Sequence, residues 1–362
     1  MSREWIADAR TDGLFLWQGL ALSLALWAVA ATGPRGLALV VLCYGLYDCC
    51  HLTATLPVTA LDRDTRRRNP PWLWGGLAGY VLLSAGCFLS GGLPGQLWSS
   101  AFLYWGTFHI IRQHAGFLRL YQQRAGGFDK AQASRQLWLL YVGCVTPGLV
   151  AVASGGALAD RLHELRGVLL PPIPAAVAWA AVAVFAGLAA LVVRDAIARR
   201  RAGHGAGRLT LLHLGLVLAS FSLAYLLVAR VSLFMVIIFV SAFHNLQYLS
   251  LVRFTLRNRH QAEPAATGPF SRFFAGGALR YAAFAGLLGL TLWALKPGYS
   301  PFLATSARGV PGLIGAVFIS IQNLHYFWDG FAWKVSRDRR LRRDLGLLSQ
   351  GSTSACSASA VP

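Results

Sequence analysis

Charged residues are confined to short clusters along this 362-residue chain, and between the clusters lie apolar stretches of about 20 residues, the length of a helix that crosses the hydrocarbon core of a bilayer. Hydrophobic residues make up 56% of the sequence and charged residues only 13%, so a water-soluble surface has little material to be built from. The fold expected is all-α: a polytopic integral-membrane helical bundle of about ten transmembrane helices. The spans fall at about residues 14–33, 37–60, 72–90, 97–117, 136–155, 171–193, 208–228, 231–252, 275–294 and 310–331. An even number of crossings puts both termini on one side.

Basic residues identify that side, because Lys and Arg are enriched in cytoplasmic loops. Of the 33 basic residues, all but Arg35, Arg161, Arg166, Arg230, Lys296 and Arg308 fall with the termini. The expectation is a single transmembrane domain over residues 1–345 in a bacterial-type inner or plasma membrane, with both termini cytoplasmic. The small, polar residues 346–362 read as a disordered tail. MSREWIADARTDG carries acids among its bases and no small-residue cleavage site follows it, so the first span reads as a retained anchor. A net charge of +19 raises the question of nucleic acid, but the inside bias and attraction to anionic lipid account for it, and no nucleic-acid partner is expected. Five of the six cysteines lie within spans and no two form a CxxC pair, which suits neither a disulfide framework nor a zinc knuckle.

Four histidines interrupt these apolar runs: His51 in YDCCHLTAT, His109 in WGTFHIIRQHAGF, His244 in FHNLQYL and His325 in QNLHYFWDGFAWK. All four segments belong to even-numbered spans, which run in the same direction. Each histidine precedes the basic residue marking its cytoplasmic exit (Arg63, Arg119, Arg253 or Lys334) by roughly nine to twelve residues, or about 13 to 18 Å at about 1.5 Å per helical residue. That depth is near the bilayer midplane, so four helices bring four imidazoles into one layer. Further polar groups share their faces at helical spacing: Asp48 three residues before His51, Asp329 four after His325, Gln113 four after His109 and Tyr248 four after His244. Ionisable groups in a membrane are costly and mark functional sites, whereas a single intramembrane histidine commonly serves only to hydrogen-bond neighbouring helices. Four at one depth, two of them beside carboxylates, point to a metal site.

His51, His109, His244 and His325 are thus the expected metal ligands. Asp48, Asp329, His114 and Gln113 are supporting groups or alternative ligands, and Tyr248, Asn245 and Arg112 are candidates to position substrate or move protons. His114 lies five residues from His109 and so faces elsewhere on the helix. His213 reads as a packing residue, and His163, His204 and His260 as solvated loop residues. Imidazole with carboxylate suits iron first, with zinc and manganese as alternatives, and open positions on such iron favour oxygen chemistry.

The order of these motifs resembles, at a distance, the Brp/Blh-type β-carotene dioxygenases, helical membrane proteins with PHGxxD, IHFGxxD, IHSxxH and PHxxxxD segments. DCCHL stands for the first through His51, TFHIIRQ for the second through His109, FHNLQY for the third through His244, and NLHYFWD for the fourth through His325 and Asp329. Tyr248 stands where that family has a second histidine, and Asp48 precedes His51 where the family's acid follows. The resemblance implies an iron oxygenase, with His325 or His114 completing a four-histidine set.

The function expected is an integral-membrane, metal-dependent oxidoreductase. It would be a non-haem iron oxygenase or desaturase acting on a lipophilic substrate, with dioxygen, membrane lipids and an electron donor as partners. Two other classes fit the same residues: a haem or quinone electron-transfer protein, and a transporter using the intramembrane His and Asp residues as a proton or ion relay.

Overall fold

The computed structural model describes residues 4–347 except 17, 69, 91, 127, 155–167, 170, 204–206, 229–230, 265–271, 274–276 and 295–309. His163, His204 and residues 348–362 of the expected tail lie outside the described residues. Among those described there are helices and no strands.

In chain order the helices are α1 (Ala9–Leu16), α2 (Gln18–Ala30), α3 (Pro34–Ala54), α4 (Arg63–Arg68), α5 (Pro70–Ser90), α6 (Gly92–Ala125) and α7 (Lys130–Ala153). They continue with α8 (Ala175–Arg201), α9 (Arg208–Leu226), α10 (Leu233–Ala262), α11 (Ala278–Ala294), α12 (Val310–Ala332) and the short α13 (Arg339–Asp344). Six segments are long and apolar enough to cross a membrane: Ala9–Ala30, Pro34–Val58, α7, α8, α9 and α10. The other four expected spans coincide with α5, α6, α11 and α12. In α6 the polar residues His109, Arg112, Gln113 and His114 interrupt the apolar run.

Several boundaries differ from those expected, for local reasons. The α-helix of the second span ends at Ala54 and the span itself at Val58 rather than residue 60, because Pro57 cannot continue an α-helix and the chain turns through a 3₁₀ segment at Leu56–Val58. At their basic ends, α6, α8 and α10 run on to Ala125, Arg201 and Ala262, several residues past the apolar runs. Past that run α6 buries Leu120 and Tyr121 against the ends of α10 and α13, so packing sustains the helix. α6 stops where Gly126, at φ 64, supplies a left-handed C-terminal cap. Gly346 and Leu347, expected in the tail, instead cap α13: Leu347 N–H donates to the Arg342 carbonyl (2.8 Å), and its side chain packs beside Leu341 and Leu345. His260 stands in the last turn of α10, half-buried, rather than in a loop.

α10 is the central post. Of its apolar window 78% is buried, against 11% for α8, which lies at the margin against α7. α2 reaches α10 closely because Gly19 leaves room for the Phe243 ring and Ser23 donates to the Phe239 carbonyl (2.7 Å). The perimeter is apolar: Leu82, Trp179 and Leu279 are 73%, 70% and 83% exposed. Water does not favour such a surface at this extent.

Charge gathers at one end. Arg259 of α10, itself buried, bonds Asp62 (3.2 Å) and Asp344 (2.8 Å). Arg340 pairs with Asp64 and with Glu263 (3.4 Å), and Arg343 with Glu263 and Asp344 (3.0 Å). Arg124 donates to the carbonyls of Ile6 (3.0 Å) and Leu345 (2.9 Å), tying both ends of the described chain to α6.

Candidate metal centre

α3, α6, α10 and α12 each contribute one histidine to a buried cluster. The imidazole centroids of His51 and His244 are 4.8 Å apart, those of His244 and His109 5.0 Å, of His109 and His325 5.1 Å, and of His325 and His51 4.4 Å. The four rings close a circuit. His51, His244 and His325 are each 2% exposed and His109 8%. The turn at Pro57 explains how His51 joins this layer although twelve residues separate it from Arg63: not all of those residues are helical rise.

Two overlapping groups offer ligand atoms within 4.8 Å of one another, His51 with His244 and His325, and His109 with His325 and Asp329. They share His325, and neither contains a cysteine. Asp329 Oδ2 lies 3.7 Å from Nε2 of both His109 and His325. Nε2 of His109, Nε2 of His325, Nδ1 of His244 and both ring nitrogens of His51 are buried with no hydrogen-bond partner. Buried polar atoms are nearly always satisfied, so this concentration of unsatisfied imidazole nitrogens on one centre fits a bound cation.

A hydrogen-bonded chain orients His325. Tyr248 OH donates to Asp329 Oδ1 (2.7 Å), so it accepts from Thr55 Oγ1 (2.9 Å), and Thr55 in turn accepts from His325 Nδ1. The proton is thereby assigned to Nδ1, leaving the Nε2 lone pair aimed at the centre. Trp333 Nε1 adds a bond to Asp329 Oδ1 (3.3 Å). Across the site Asp48 lies 4.0 Å from His51 Nδ1 and accepts from Tyr44 OH (3.3 Å), Asn245 Nδ2 (3.2 Å) and Gln322 Nε2 (3.3 Å). Both carboxylates are therefore held by neutral donors. Tyr326 stacks on His109 at 4.5 Å, and Gly106, one turn before His109, leaves the space its hydroxyl end occupies.

The expected site residues divide accordingly. The four histidines, Asp48, Asp329, Tyr248 and Asn245 come together, with Asn245 fully buried against Asp48. Gln113 borders the cluster, donating to the His244 carbonyl (2.9 Å). Arg112 does not join it: the side chain is exposed, its guanidinium 5.8 Å from the Phe108 ring centroid, because position 112 falls on the outward face of α6. Among the described residues Arg112 forms no salt bridge with Asp48 or Asp329. His114 is buried elsewhere, 5.8 Å from His213, and its carbonyl bonds His213 Nε2 (3.1 Å), so it is not the fourth ligand and His213 links α9 to α6. Cys50 lines a cleft beside the site, and Cys49 is buried against Leu52 and Phe318.

Thr55, Gln322, Trp333 and Tyr44 escaped the sequence reading, although the signal was there. Each lies three or four residues from His51, His325, Asp329 or Asp48, on the same helical face or its continuation. Compared with known protein families, curated proteins and solved structures, the chain matches none.

Proposed function

We propose that this chain is an integral-membrane, metal-dependent oxidoreductase, a non-haem iron oxygenase or desaturase acting on a lipophilic substrate, with ten membrane crossings and both termini cytoplasmic. One observation carries the reading: four buried imidazoles from four helices, with unsatisfied nitrogens, converge on one centre with the Asp329 carboxylate 3.7 Å from two of them. His51, His109, His244 and His325 would hold the ion, with Asp329 completing the shell. This donor set suits iron, manganese or zinc, and the motif order that resembles the Brp/Blh-type dioxygenases favours iron. When bound, the iron supplies the one-electron chemistry by which dioxygen reacts with an unactivated carbon chain.

The remaining residues have roles that follow from their contacts. Thr55 and Tyr248 hold His325 in the ligating tautomer. Tyr248 also carries the movable proton nearest Asp329, through a bond of 2.7 Å. Asn245 and Gln322 fix Asp48, which steadies His51. The apolar perimeter gives a lipophilic substrate lateral access from the bilayer, and an electron donor supplies reducing equivalents.

A haem reading is disfavoured by the ring packing. Neighbouring imidazoles meet edge to face at 67–80°, leaving no slot between them for a macrocycle. The test is elemental analysis of detergent-purified protein beside a His109→Ala/His325→Ala variant. About one iron per chain, lost from a variant that still melts cooperatively, is expected. Two metal-free proteins with the same melting temperature would turn the cluster into a proton relay and favour transport. A Soret band would make it an electron carrier.

A further inference from the structure

A second feature lies on an adjacent face of α3. Between α1, α3, α10 and α11 is a half-open cleft of about 350 Å³ with mostly apolar walls, lined by Thr11, Cys50, Leu249, Arg253, Arg257 and Tyr281 among others. The α10 residues at 249, 250, 253, 254 and 257 form a single stripe along that helix, so one face of the post is turned to the cleft.

Its polar groups are unlike their neighbours. Arg259, Arg340 and Arg343 at the same end are all ion-paired, whereas Arg253 and Arg257 have no ion pair among the described residues. Arg257 acts on the Asp8 carboxylate by charge alone. The acidity of that carboxyl is raised mainly by the Thr11 backbone N–H and only slightly by the guanidinium. Arg257 Nε is buried without a hydrogen-bond partner while its guanidinium lies 5.3 Å from the Phe254 ring centroid. Tyr281, 6% exposed, has a buried hydroxyl with no partner and packs with Ala54 and Tyr248. Two guanidinia one turn apart, about 6 Å along the helix, and an unsatisfied phenol above an apolar slot are complementary to a phosphate joined to acyl chain.

We propose that this cleft seats an anionic membrane phospholipid, its phosphate on Arg253 and Arg257, the Tyr281 hydroxyl donating to a head-group oxygen, and the acyl chain along Leu249 and Cys50. This rests on the membrane placement proposed above and not on the metal. The occupant would brace α3 and α11 beside the histidine cluster.

The test is native mass spectrometry of full-length protein released from nanodiscs containing phosphatidylglycerol and phosphatidylcholine in equal amounts. A phosphatidylglycerol adduct that survives release is expected, reduced roughly thirtyfold in Arg253→Gln/Arg257→Gln. It should be unchanged in Arg63→Gln/Arg67→Gln, which removes the same charge from exposed positions of α4. Tyr281→Phe, which keeps the packing, should weaken the adduct severalfold and serves if the double variant fails to fold. Equal retention of the two lipids, equal loss in both arginine pairs, or displacement of the adduct by oleate would overturn the proposal. Failure of the chain to enter nanodiscs would overturn the membrane placement, and the lipid seat with it.

Discussion

His325 depends on a hydroxyl that belongs to a different helix turn altogether. Thr55 accepts its Nδ1 proton and passes the bond to Tyr248, which ends on Asp329, so three side chains decide which nitrogen of one imidazole is free. Thr55→Val keeps the volume and removes the link. Its expected effect is a 10- to 100-fold weaker grip on metal, measured by competition with a chelator. Leaving buried groups unpaired should also lower stability by about 1–3 kcal/mol, read from thermal unfolding in detergent. Tyr248→Phe breaks the same chain one bond further on. Because the two residues act in series, the double variant should fall short of the sum of the singles by about 0.5–3 kcal/mol in a double-mutant cycle, and strict additivity would show the chain to be unimportant.

At the scale of the helices, close approach is what distinguishes one apolar face from another. A Cβ on Gly19 would stand 1.9 Å from Phe243 Cδ2, whereas one on Gly79 of α5 meets nothing within 4 Å. Gly19→Ala should therefore force α2 off α10 and cost about 1–3 kcal/mol, lowering the melting temperature. Gly79→Ala should be neutral or stabilise by up to about 1 kcal/mol through helix propensity. Apolar run length located helices at the expected positions, six of the segments being long and apolar enough to cross a membrane, and counting residues to the basic exits placed the four histidines in one layer. What those counts missed was set by tertiary contacts. The Pro57 turn shortened α3, packing extended α6 and α10 beyond their apolar runs, and the angular position of Arg112 on α6 turned it outward, away from the role expected of it. His114, offset by five residues from His109, faces elsewhere on the helix as that spacing implies, and the alternative-ligand reading of it does not hold.

For the molecule as a whole, the ion pairs around α13 hold the C-terminal end against α4 and α10. The Arg343 hydrogen bond to Glu263, followed by the charges of Arg343 and Arg340, holds the pKa of that carboxyl below its ordinary value of 4.5. A lowered folded-state value means that the stabilisation is complete above the ordinary value and is lost as pH falls through the folded one. Protease resistance near residue 340 should therefore decline on acidification below about pH 4.5 and be less pH-dependent in Glu263→Gln. High salt should mimic the decline in part, since Glu263 is partly exposed and its pairs are screened.

Thr55 and His325 are 270 residues apart, and among the described residues the helix carrying His325 is the last long one in chain order. A ribosome that has made α3, α6 and α10 has supplied three imidazoles and neither Asp329 nor the fourth ring. The full ligand set proposed for the ion, four imidazoles and one carboxylate, is therefore assembled only once α12 has been made, and a chain that stops short of it carries an incomplete set.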